Sequence, residues 1–96
     1  MNVEEDIRNN VVNELRALQK LGEDYLELQS KKSDLRKEQL AWIEENLVKK
    51  DSSIKTILAK EVFFIDQLGR IDDEVSKLFH ETATIPLKIA SYFFPQ

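Results

Sequence analysis

Leu21, Leu28, Leu35 and Trp42 fall seven residues apart in a stretch that holds one glycine and no proline. Seven residues are two helical turns, so the four side chains share one stripe of a helix, and that stripe requires a cover. The surrounding apolar positions are Ile7, Val11, Leu15, Leu18, Tyr25 and the four above, an alternation of threes and fours interrupted at Lys32 and Gln39. This pattern predicts a helix over residues 3–50. Asn2 is placed to cap it, with Glu5 three residues on as in a capping box, and Glu4 and Asp6 suit its positive end. Leu26, Leu40, Ile43 and Leu47 make a second, partial stripe beside the first. Lys49 and Lys50 suit a helix C-terminus, and Asp51, Ser52 and Ser53 offer N-caps for the next element.

A second helix is predicted from about Ile54 to about Thr82. Its apolar set (Ile54, Ile57, Leu58, Val62, Phe64, Ile65, Leu68, Ile71, Val75, Leu78 and Phe79) covers an arc of roughly 200°, more than one neighbour needs. Phe63 lies outside even that arc. The expected architecture is therefore all-α: a long antiparallel helical hairpin, coiled-coil-like, that forms a helical bundle. Pro86 is expected to stop the second helix, because the residue before a proline disfavours helical geometry. Residues 83–96 then read as a non-helical tail whose Leu87, Ile89, Tyr92, Phe93 and Phe94 are too apolar to be idle.

The lengths do not match. A helix over 3–50 is about 72 Å long and one over 54–82 about 43 Å, which leaves roughly the first nineteen residues without a partner. Three remedies present themselves: a break at 30–33 giving three helices, a tail folded back along the overhang, or a second copy. Helical propensity at Ser30, Lys31, Lys32 and Ser33 is good, which favours a continuous hairpin paired with another chain.

Composition narrows the picture further. A chain of 96 residues is one helical domain, and at this size it buries only about 60–65% of its unfolded surface. There is no cysteine for a disulfide and only one histidine, so association is the remaining route to extra burial. The net charge is −4, shared evenly between residues 1–50 and 51–96, with no basic arm. That argues against nucleic-acid binding. No apolar run approaches a membrane span, and the acidic N-terminus is unlike a secretory signal, so a cytoplasmic location is expected.

Candidate chemistry is sparse. His80 has Ser76 and Thr84 four residues to either side and reads as a surface residue near a helix C-terminus. Asp72-Asp73-Glu74 and Glu4-Glu5-Asp6 are neighbours that point about 100° apart, a poor acid/base pair or metal site and an ordinary solvated face. Lys31, Lys32, Arg36 and Lys37 are interrupted by Asp34 and Glu38, as on a coiled-coil flank. Gly22 and Gly69 stand alone inside apolar runs, which suggests close helix approach rather than a phosphate loop. Trp42 is either an interface centre or a core residue near the hairpin tip. Tyr92-Phe93-Phe94 reads first as packing on its own bundle, then as filling a partner's groove, and last as touching a membrane, for which only Lys88 supplies charge.

No catalytic, cofactor-binding or metal site is expected, and an enzyme is not. The expectation is a non-enzymatic protein–protein interaction module, a scaffold or adaptor acting as a homodimer or in a bundle with another protein. Its candidate interface is Ile7, Val11, Leu15, Leu18, Leu21, Leu28, Leu35, Trp42, Phe63, Phe64, Tyr92, Phe93 and Phe94. Two alternatives accompany it. The size and helix–turn–helix plan are similar to the WXG100 secreted proteins, although Trp42-Ile43-Glu44 stands where their hallmark has Trp-x-Gly. The run from Ile65-Asp66 to Leu78 resembles flagellar export chaperones, which implies a small secretion-system chaperone. A small phage or plasmid regulator that inhibits a host protein is a second alternative.

Overall fold

The computed structural model describes residues 3–94. It is an all-α helical hairpin: α1 spans Val3–Ile43, a π-helical turn follows at Glu44–Lys49, and α2 spans Ile54–Phe93. No strand occurs among the described residues. The capping role expected of Asn2 lies outside the described residues.

Both helices obey one rule of burial. With the inward positions labelled a and d of a heptad, α1 turns in Ile7, Val11, Glu14, Leu18, Leu21, Tyr25, Leu28, Lys32, Leu35, Gln39 and Trp42. In α2 the inward set is Ile57, Glu61, Phe64, Leu68, Ile71, Val75, Leu78, Thr82, Ile85, Ile89 and Tyr92. Every step in both sets is three or four residues, the seam of a coiled coil. The seam corrects one expectation: Leu15 is half-exposed, and Glu14 takes the inward place.

Three further expectations change. Residues 30–33 are unbroken helix. Residues 83–93 are not a loose tail, because α2 runs straight through Pro86. A proline removes one helical hydrogen bond and crowds the carbonyl four residues back. Here the inward sequence Thr82, Ile85, Ile89 and Tyr92 keeps its spacing across the proline, and burying Ile85 almost completely offsets that cost. The ring of Pro86 itself points to the exposed side. Finally, the overhang disappears: α1 has 41 residues and α2 has 40, so Ile7, Val11 and Leu18 are half-buried without a folded-back strand.

The chain resolves into two compact units. The turn unit is Glu27–Glu74, and the terminal unit is the described part of Met1–Leu26 with Val75–Gln96. In the turn unit Phe64 is wholly enclosed and its ring meets Phe63 edge-on at 5.6 Å. Two polar contacts join its helices: Lys32 Nζ donates to Asp72 Oδ1 at 2.6 Å, and Gln39 Nε2 donates to both carboxylate oxygens of Glu61 at 3.0 and 2.9 Å. These explain how polar residues tolerate inward positions, since each finds a partner from the other helix.

The turn is built from local chemistry. Asn46 Nδ2 donates to the Trp42 carbonyl at 2.8 Å, and the Lys50 amide reaches back five residues to the Glu45 carbonyl at 3.1 Å, giving the wide π turn. Asp51 takes a left-handed conformation with φ 48°, one of the few non-glycine types that does so routinely. Ser53 then caps α2, its Oγ accepting from the Thr56 amide at 3.3 Å.

In the terminal unit Ile85 is buried, and the rings of Tyr25 and Phe79 lie 5.3 Å apart at a tilt of 46°. The Tyr92 hydroxyl donates to Glu14 Oε1 at 2.9 Å. That contact explains why a glutamate occupies the seam.

Candidate interaction surface

Only Leu28, Phe64 and Ile85 are buried apolar residues among those described. The accessible surface is 7533 Å², whereas a compact monomer of 11.2 kDa exposes about 5,700 Å². The excess, about 1,800 Å², is the scale of a whole protein–protein interface.

Much of that excess is apolar and periodic. Beside its inward seam α2 carries a second stripe, at the e and b positions of the same heptad. In the turn unit it comprises Leu58, Val62, Ile65, Gly69 and the polar Asp72, and in the terminal unit the polar Ser76 followed by Phe79, Ala83, Pro86, Ala90 and Phe93. All are exposed, Leu58, Val62 and Ile65 by 60–66%. On α1 the same positions bear Leu15 and Leu26 in the terminal unit and Leu40 and Ile43 in the turn unit.

In an antiparallel pair the e flanks of both helices come to one side and the g flanks to the other. Within the terminal unit the e side is an apolar hollow of about 310 Å³, bordered by Gly22, Tyr25, Leu78 and Phe79. The g side has a hollow of about 420 Å³ lined by charged and apolar side chains together, among them Lys20, Asp24, Glu81, Lys88, Leu21 and Ile85. Near the chain ends a further apolar hollow of about 670 Å³ is lined by Val3, Ile7, Val11, Val12 and Phe93. Within the turn unit the e side is polar at Gln29, Ser33 and Arg36, around a hollow of about 250 Å³, and apolar from Leu40 and Ile43 onward.

The expected interface residues fall into three groups. Leu28 and Phe64 are closed inside the chain and present nothing to a partner. Ile7, Val11, Leu18, Leu21, Leu35, Trp42 and Tyr92 are half-buried on the seam between α1 and α2. Leu15, Phe63, Phe93 and Phe94 are exposed. Phe63 stands on the g side of the turn unit beside Lys60, whose Nζ lies 4.7 Å from the Phe63 centroid, 5.3 Å from Phe64 and 5.9 Å from Trp42. The Tyr92-Phe93-Phe94 cluster is split: Tyr92 packs inward while Phe93 and Phe94 face solvent. The e/b stripe of α2 was hidden in the sequence because it merges with the seam into one broad apolar arc, and only the burial pattern divides the two.

Two glycines depart from expectation. A Cβ built at Gly22 or Gly69 meets nothing within 4 Å, so close approach inside this chain does not explain either. His80 is exposed but lies well inside α2, so the favourable end of a helix does not explain it. No group of three metal-ligating side chains occurs among the described residues, and no described helix is long and apolar enough to cross a membrane. Trp42 and Ile43 are helical, so no Trp-x-Gly turn exists here.

The Tyr92 phenol titrates above its ordinary range. Its hydrogen bond to Glu14 raises the phenol above its ordinary value of 10.0, with desolvation and the Glu14 charge acting in the same direction. Set against known proteins, the chain matches no protein-family model, no curated protein and no solved structure.

Proposed function

We propose that this protein is a non-enzymatic interaction module: a helical hairpin whose second apolar stripe is covered in a bundle, by another copy or by another helical protein. The observation that carries the reading is the α2 stripe at Leu58, Val62, Ile65, Phe79 and Phe93, periodic as a coiled-coil seam yet exposed throughout. Isolated exposed leucines are ordinary, but an apolar patch repeated at heptad spacing within each unit, as at Leu58, Val62 and Ile65, is a mark of association. The surplus surface supports the same reading, because it exceeds the roughly 800 Å² per partner of a standard interface.

The test substitutes the stripe without touching the seam. Leu58→Glu combined with Ile65→Glu should leave helicity unchanged and abolish association, seen as a fall in mass by light scattering. A wild-type chain that stays a folded, stable monomer at every concentration and is indifferent to the double substitution would overturn the reading.

A further inference from the structure

We infer that the end of α2 is a strap that opens and closes as one piece. Ile85 anchors it, Pro86 is its hinge, and the Tyr92–Glu14 hydrogen bond holds residues 87–93 shut against the start of α1. The strap lies wholly within the terminal unit.

The hinge has two causes that fall within three residues. Pro86 has no amide hydrogen, so the Thr82 carbonyl lacks the donor that an uninterrupted ladder would give it, and the ring crowds that carbonyl. Two residues earlier the Thr84 hydroxyl donates to the Glu81 carbonyl at 2.7 Å. A hydroxyl that bonds back to its own helix loosens and bends it, as a proline does.

Burial falls away at the same point. Before the proline the seam is carried by Val75, Leu78, Thr82 and the buried Ile85. Beyond it none of residues 87–94 is buried: Ile89 and Tyr92 are half-buried, while Leu87 and Phe94 are 72% and 79% exposed. On α1 the matching seam residues Ile7 and Val11 are also only half-buried, and with Phe93 they border the open hollow of about 670 Å³. Two half-buried side chains gain little against the entropy of fixing seven residues. What closes the strap is directional. The Tyr92 hydroxyl donates to Glu14 Oε1 at 2.9 Å, and bonds to a carboxylate are stronger than neutral ones.

Once detached, the strap does not persist as a helix, because two turns alone are too short to be stable in water. Opening therefore frees the amides of 87–93 together and uncovers Ile7, Val11 and Ile89, while Ile85 stays in place. Ordinary fraying would loosen the amides one after another from the chain end.

Native-state hydrogen exchange on the full chain separates the two. In the wild type, amides 87–93 should share one level of protection, about tenfold or more below that of amides 78–85, with the step at Pro86. Tyr92→Phe removes only the hydroxyl. It should lower the protection of 87–93 by a further factor of about ten and leave 78–85 unchanged. Pro86→Ala should raise protection of 87–93 until the step disappears. A smooth gradient from 78 to 93 would overturn the strap in favour of fraying. A step that survives Pro86→Ala would remove the hinge. Protection unchanged in Tyr92→Phe, or lost equally across 78–93, would remove the latch.

Discussion

The two units of the hairpin are built on the same heptad yet hold their helices together by different means. In the turn unit the helices are joined covalently through Asp51–Ser53, and the enclosed Phe64 and two polar bridges fix their register. The terminal unit has no connecting turn and must carry a proline inside α2. It relies on Ile85, the Tyr25–Phe79 ring contact and the Tyr92–Glu14 hydrogen bond. Loop closure is inexpensive for a turn of three residues, whereas free ends must be ordered entirely by what they bury. The terminal unit should therefore be the first to open.

The largest effects should come from the buried residues. Phe64→Ala should cost about 3–5 kcal/mol and Ile85→Ala about 2–5 kcal/mol by denaturant titration. Hydrogen exchange separates them: Ile85→Ala should deprotect amides around 80–93 and leave those of the turn unit slow. Equal loss of protection in both units would show that they do not open separately.

Removing the proline should act in the opposite sense. Pro86→Ala restores a helical hydrogen bond and should stabilise the terminal unit by up to about 3 kcal/mol. Thermal melting and hydrogen exchange around residues 82–90 would report it. No gain would mean that α2 is already relaxed around the ring.

The smallest effect is a titration. Because the folded Tyr92 pKa is raised, the contribution of its contact with Glu14 is complete below the ordinary value of 10.0 and fades as pH climbs through the folded one. Ultraviolet titration should show one phenol ionising late, and Glu14→Gln should bring it down. An unchanged profile in that variant would remove Glu14 as the cause.

Much of the fold was legible in the sequence. Leu21, Leu28, Leu35 and Trp42 mark the seam, and the serine that caps α2 is among those expected to do so. What was not legible came from competition between local and distant terms. Pro86 is a strong local stop signal, and the continued burial of Ile85, Ile89 and Tyr92 overrides it. Leu15 looked like the seam residue because it is apolar, but heptad spacing gives that place to Glu14. The tyrosine that accommodates Glu14 is 78 residues away in sequence. The outer surface was harder still, because the broad arc of apolar residues on α2 does not say where the inward seam ends and the exposed stripe begins.

The measurement that tests the central claim most directly is absolute mass by light scattering behind a sizing column, over a hundredfold range of concentration. A chain whose second stripe is covered by its own copy should elute with twice the 11.2 kDa of one chain and hold that mass on dilution until the dimer dissociates. A folded species of 11.2 kDa at every concentration, with its helices intact, would contradict it.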